Sequence, residues 1–460
     1  MKGQHNFERF LNRHPHSHKF FFERPHWNRR EFFQILGAGV TGAVLAGPAM
    51  AGEVTEKLNV TLINKAKNVI FILFTGAISH TDTFDFKMSP DTPASLMKPE
   101  TINGITWPTG IMPKLAGSLP DICIARSVRS WALQHTLSQT WAQIGRSPAA
   151  ALGDIAPNIG TIVAVEKENE RQSNQVFPTF LALNAGGAVG SGYLSSSYAP
   201  LKISPATSGM PDTTNPDGTA RLDLKYALMN ALDAPLRTSS PYGKELEDYG
   251  KFYASGRNMM YNPSVDQAFR FTTTDAQRYG NTGFGNACLV AKQVLAARGG
   301  TRYIQINLGG WDMHQNIYTD LPPLAKQLDD GLSVLISELK SSGLLNETLV
   351  VAMGEFGRTT GRLTAQNGRD HYLQQFIAFA GAGIRGGRAI GATDPTGGAS
   401  VEFGWSRERD IRPEDCEATI YSAMGIDWTK IRYDDPFKRG FEYVPFSKED
   451  LYGPIHELWS

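Results

Sequence analysis

Cysteine is scarce in this sequence and long apolar runs are missing. The 460 residues hold three cysteines, Cys123, Cys288 and Cys416, too far apart for a zinc-ligand spacing or a Cys-x-x-Cys redox pair. They read as small core residues forming at most one disulfide, so no disulfide framework holds the fold. An excess of charge of one sign is missing too, since Lys+Arg and Asp+Glu each number 45. Seven of the basic and three of the acidic residues fall within residues 1–51, so the remainder carries about −4 and offers no basic footprint for nucleic acid. No segment reaches the roughly 20 apolar residues that a membrane-spanning helix needs. A hydrophobic content of 41% with 20% charged residues is that of a globular domain and excludes a disordered or fibrous chain.

What is present begins with an address. Arg29 and Arg30 followed by Phe32 resemble the twin-arginine signal, and an uncharged stretch from Ile35 to Gly47 leads to Ala49, Met50 and Ala51, the small-x-small form of a signal-peptidase site. That stretch is too short and too glycine-rich for a stable membrane helix. Residues 1–51 therefore read as a twin-arginine signal peptide. On this reading the mature chain is expected to start at Gly52, to carry no transmembrane anchor, to engage the twin-arginine translocase during export, and to end up periplasmic or secreted.

Asn68 to Phe74 is a continuous apolar run, the pattern of a strand buried on both faces. Similar short runs cover Ile122 to Ala125, Thr179 to Leu183, Tyr303 to Leu308, Thr348 to Met353 and Phe376 to Ala380. Leu324, Leu328, Leu332, Leu335, Ile336 and Leu339 recur at helical spacing and predict an amphipathic crossover helix ending at Gly343. This alternation predicts an α/β domain over residues 52–460 with a doubly wound, mostly parallel sheet. From Gly186 to about Tyr279 the chain turns rich in Gly, Ser, Thr, Asn, Pro and Tyr, with one helical piece around Leu222 to Leu232. That span reads as a loop-rich insertion beside the core that shapes or covers the site.

Outside the leader five histidines remain, His80, His135, His314, His371 and His456. His80 and Asp82 follow the first strand, Asp312 and His314 follow the fourth, Glu355 follows the fifth, and Asp370 and His371 precede the sixth. Carboxyl ends of parallel strands share one sheet edge, and ligands bind in the crevice outside it, so these residues are expected to converge. Asp312 and His314 alternate along an extended segment and so point the same way. With Glu355 and His371 they form a mixed nitrogen and oxygen set that suits zinc or manganese, whereas carboxylates alone suit magnesium or calcium. Arg358 has two readings, an oxyanion clamp or an ion pair with Glu355. His135 with Thr136 and Ser138 offers a hydroxyl nucleophile beside a base, or equally a polar helix start. Gly381, Gly383 and Gly386 match a dinucleotide fingerprint, but the following residues read as a turn rather than a helix, which argues against a nucleotide cofactor. His456 reads as a surface residue.

Several blocks in one order carry a resemblance. They are Ser79-His80-Thr81-Asp82-Thr83-Phe84-Asp85, then Arg278-Tyr279-Gly280, Gly309 to His314, Leu345 to Thr359, Gly368 to His371, and Gly381 to Asp394. From about Asn68 to Asp427 the chain resembles the exported bacterial family catalogued as domain of unknown function 1501. That family looks like a distant branch of the alkaline phosphatase and sulfatase superfamily. The resemblance implies one or two divalent ions, zinc, manganese, magnesium or calcium, at the strand ends, and cleavage of a phosphate or sulfate ester in a small molecule or polymer. It implies that Asp312 and His314 stand where one ion's ligands stand, Glu355 where the Asp of an Asp-His pair stands, and His371 where the last histidine stands. His80 or Asp82 would complete the set. His135 falls at the place of the nucleophile. The chain departs from the pattern in lacking Cys-x-Pro-x-Arg, which excludes the sulfatase formylglycine, and in carrying Thr75 and Gly76 where the first strand usually ends in Asp. Thr136 or Ser138, a metal-held water, or no nucleophile at all then remain, the last leaving a non-catalytic binding or structural protein on the same scaffold.

Overall fold

All seven residues of β1 (Asn68–Phe74) are buried, which a strand achieves only inside a sheet covered on both faces. The computed structural model describes residues 60–239 and 243–460. The chain divides into units Met1–Asn59 and Val60–Ser460, and the expected twin-arginine signal and cleavage site lie outside the described residues. In the second unit β1 is joined by β2 (Ile122–Arg129), β3 (Phe180–Leu183), β4 (Leu201–Ile203), β5 (Tyr303–Leu308), β6 (Thr348–Gly354), β7 (Gln374–Gly381) and β8 (Arg388–Ile390). The order across the sheet is β8-β2-β7-β6-β1-β5-β3-β4.

β1 runs parallel to β5 on one side, with Val69 opposite Tyr303, and to β6 on the other, with Asn68 opposite Thr348. Only β7 runs against its neighbours β6 and β2. The fold is therefore α/β with a mostly parallel sheet, as the alternation of apolar runs predicts. Alternate β1 residues feed two cores. Ile70, Ile72 and Phe74 face α5 (Gly283–Ala296) and α6 (Ile317–Ser341), while Val69, Phe71 and Leu73 face α2 (Ile159–Lys167) and α7 (Pro413–Ala423). The predicted leucines of α6 are all buried, each contributing about 1.5–3 kcal/mol of hydrophobic stabilisation. The helix stops at Ser341, and Gly343, at φ 75°, takes the left-handed turn that other residues resist.

Two expectations need amendment. Among its described residues the span read as loop-rich carries β4 and four α-helices, the two longest being α3 (Gly218–Ser239) and α4 (Gly243–Met259). Leu224, Leu228 and Leu232 of α3 recur at helical spacing but face solvent, so the period marks the helix without marking a core. After the glycines at 381–386 the chain forms strand β8 where the sequence reads as a turn, and no helix follows. All three cysteines are buried and unpaired. No helix among the described residues is long and apolar enough to cross a membrane.

Helix α7 holds two carboxyls that burial makes costly to ionise. Burial pushes Glu414 up to about 7, against the help of indole donors from Trp131 and Trp141, and Glu417 up to about 8, against the nearby charge of Arg146. The folded chain thus keeps protons that the unfolded chain releases near the ordinary carboxylate range. This contribution to stability is fully present below about pH 4.5 and is lost as pH rises toward 8, by on the order of a few kcal/mol. Glu417→Gln is expected to flatten the decline of Tm between pH 5 and about 8. A variant curve parallel to that of the unaltered chain would contradict this account.

Candidate functional site

Four loops meet at the edge where β1, β5 and β6 end. Gly76, after β1, has φ +97°, and a Cβ there would lie 2.8 Å from the backbone nitrogen of Asp312, so glycine lets the loops after β1 and β5 touch. The loop after β5 carries Trp311, Asp312 and His314, and Glu355 follows β6. The reversal of β7 brings its N-terminal end to the same edge, which is how His371 arrives. His371 pairs with Arg358 in a two-residue antiparallel ladder. The fourth contribution comes from α1 (His135–Ile144), which follows β2 and whose N-cap Gln134 accepts from the Leu137 N–H at 2.6 Å.

Asp312 is the hub of the site. Its Oδ1 lies 3.3 Å from His135 Nε2, 3.0 Å from His314 Nε2 and 3.7 Å from His371 Nε2. Each imidazole is held at its other nitrogen. His135 Nδ1 bonds Glu355 Oε1, His314 Nδ1 bonds Asp370 Oδ1 at 2.8 Å, and His371 Nδ1 donates to the Leu133 carbonyl at 2.7 Å. Beneath them Arg358 donates from Nε to Ala77 O, from Nη1 to Arg369 O and His314 Nε2, and from Nη2 to Gly76 O and Asp312 Oδ1, the last at 2.5 Å. It pairs with Asp312 rather than Glu355.

The site has a dry floor and an open mouth. The Glu355 and Arg358 side chains are 0% and 1% exposed, against 48% for Asp312 and 42% for His314. Burial raises the Glu355 carboxyl despite the bond from His135. Burial also acts upward on Asp312, but the Arg358 guanidinium outweighs it and holds the carboxyl below its usual range. Burial, assisted by the charge of Arg358, lowers the pKa of His371.

The remaining candidates stand elsewhere. His80 is buried, its Nε2 2.9 Å from Gly397 O, and burial lowers its pKa. Asp82 is fully buried and takes donors from Arg369, Ser79 and Tyr318, with Arg369 Nε at 2.6 Å. Neither is brought to Asp312; the two underlie the loop that Arg369 supports. Thr136 faces solvent, and the buried Ser138 donates its hydroxyl to Ala132 O at 2.9 Å. The Leu133 carbonyl joins the site through a backbone atom, which a pattern of side chains cannot reveal. Arg369, between Gly368 and His371, pairs with Asp82, a partner that spacing along the sequence does not show.

The donor set fits a divalent ion. His135, Asp312 and His371 each offer one ligand atom, and these lie within 4.8 Å of one another. His135 Nε2 is a buried polar atom without a hydrogen-bond partner, a state proteins rarely leave unexplained. Two imidazoles and a carboxylate are the donors that zinc and similar transition metals take.

Residues 66–439 match the family described as "Protein of unknown function (DUF1501)". No curated protein sequence matches the chain. Among solved structures it is similar to a lipoteichoic acid synthase from Listeria monocytogenes, at 9% identity and TM-score 0.38, over 84% of this chain and 77% of that one. It is also similar to a sulfatase from Pseudoalteromonas sp., at 12% identity and TM-score 0.37, over 79% and 68%. A protein in the alkaline phosphatase superfamily from Vibrio parahaemolyticus follows at 10% identity and TM-score 0.33, over 80% and 68%. Likeness at this level assigns no role to any residue.

The Asp82 and Arg369 pair has 0% exposure on both sides, so removing one partner strands a buried charge. Asp82→Ala is expected to cost about 3–5 kcal/mol in urea unfolding. A loss below about 1 kcal/mol would mean the pair is solvated and does not support the loop.

Proposed function

This chain belongs to the DUF1501 family, and from that premise we propose that it is an exported, metal-dependent hydrolase of a phosphate or sulfate ester. The observation that supports this reading best is the meeting of His135, His314 and His371 around Asp312 Oδ1 at the sheet edge. Asp312, His135 and His371 would hold the ion. When bound, a divalent ion supplies Lewis acidity and neutralises charge on the transferred group.

The chain's own groups divide the remaining work. All five Arg358 N–H groups already have acceptors, so Arg358 fixes Asp312 and leaves no donor free for the substrate. Because Ser138 is committed to Ala132 O and Thr136 points to solvent, water is the attacking group we favour. His314, oriented by Asp370 at Nδ1 and bonded by Arg358 at Nε2, stands half open at the mouth and lines the approach to the ion's place. An open mouth suits an ester whose bulk stays outside, as in a polymer. The Arg29 and Arg30 leader supports export through the twin-arginine translocase.

A second reading, an exported binding protein on the same scaffold, draws on α3 and α4. Leu224, Leu228 and Phe252 are exposed there, near an open cavity of about 570 Å³ lined by Tyr226, Arg257 and Tyr261.

Elemental mass spectrometry on protein purified without chelators should find a near-stoichiometric divalent ion that Asp312→Ala loses, together with at least about 100-fold of aryl phosphate or aryl sulfate hydrolysis. A metal-free, inactive wild type would transfer preference to the binding reading. Replacing Arg29 and Arg30 together by lysine should leave the chain in the cytoplasmic fraction, and unchanged export would remove the twin-arginine assignment.

A further inference from the structure

His135 stands where the resemblance implies a nucleophile, and Glu355 where it implies a ligand. The geometry points to the opposite division. We propose that His135, with Asp312 and His371, is a metal ligand, and that Glu355 is the carboxylate that orients it rather than a ligand itself. The inference rests on the reading that this edge holds a divalent ion.

Three observations converge on it. First, Glu355 is bound at Oε1 by His135 Nδ1 and by the Gly76 N–H at 3.3 Å, and its side chain is fully buried behind the ring. A metal-ligating histidine commonly gives its second nitrogen to a carboxylate or a backbone carbonyl, which fixes the ring and the tautomer. Second, His371 has the same construction, because a carbonyl can only accept, so Nδ1 carries the proton at Leu133 O and Nε2 is the nitrogen whose lone pair the neutral ring offers to an ion. Third, the two Nε2 atoms lie 3.3 and 3.7 Å from Asp312 Oδ1, close to the roughly 3.3–3.5 Å edge of a tetrahedron whose centre is about 2.0–2.1 Å from each donor.

One short segment thereby serves both rings. Residue 135 supplies a donor and residue 133 supplies the carbonyl that sets the other. The Trp131 and Trp141 indoles on either side both donate to the buried Glu414, at 3.0 and 2.9 Å, which ties the segment to α7. Two nitrogens and one carboxylate oxygen favour zinc or manganese over magnesium or calcium.

The test reads metal affinity without reference to hydrolysis, by competing zinc against a chromophoric chelator. The wild-type chain should bind one zinc in preference to magnesium or calcium. His135→Ala and His371→Ala should each weaken zinc by about 1000-fold or more, whereas Glu355→Gln, which keeps an acceptor for Nδ1, should lose only about 10- to 100-fold and retain the stoichiometry. Nitrogen-15 histidine NMR of the zinc-loaded wild type, which needs no variant, should show two rings metallated at Nε2 with Nδ1 protonated. Wild-type affinity in His135→Ala with a larger loss in Glu355→Gln, metallation at Nδ1, or selectivity for magnesium would overturn the division while the metal reading stands. A wild type that binds no divalent ion would remove that reading itself, and this inference with it.

Discussion

A buried guanidinium sets the geometry of this sheet edge. Arg358 carries five N–H donors into a place with almost no access to water, where each unmet donor would cost about 1–3 kcal/mol. The acceptors come from three directions: the carbonyls of Gly76 and Ala77 after β1, Asp312 and His314 after β5, and the carbonyl of Arg369 ahead of β7. Satisfying one side chain therefore fixes three loops relative to one another. Asp312 inherits its position from this arrangement, and the imidazoles that meet it are held at their other nitrogens by Glu355, Asp370 and the Leu133 carbonyl. A lysine has three donors and no planar fork, so it could not hold the same set.

The charge distribution follows from the same burial. With Glu355 and Arg358 beneath and Asp312 and His314 open above, opposite charges are stacked from a dry floor to a wet mouth. Electrostatic interactions are strongest at the floor, where screening is weakest. The floor can therefore hold its geometry while the mouth exchanges solvent and ligand.

Much of the sheet was legible because burial on both faces leaves an uninterrupted apolar run. β1 and β5 match their predicted spans residue for residue. β4 and β8 escaped notice because three residues with a charge among them, such as Leu201, Lys202 and Ile203, carry no period. Strand direction is also invisible to periodicity. His371 precedes its strand, which in a parallel arrangement would put it at the far edge, and the antiparallel course of β7 corrects this. The ionisable residues at strand ends could be named from sequence, but not their partners. Asp82 shares the block that suggested a ligand and turns inward to Arg369, while Leu133 acts through a backbone atom that every residue possesses.

The three buried thiols carry one more consequence. Burial holds Cys288 and Cys416 well above the ordinary thiol range, which keeps them protonated and poor at exchange, and none of the three has a partner. The native state contains no bond that an oxidant must make or a reductant can break. Its folding is therefore indifferent to redox potential, so the same structure can be completed in a reducing compartment and persist in an oxidising one.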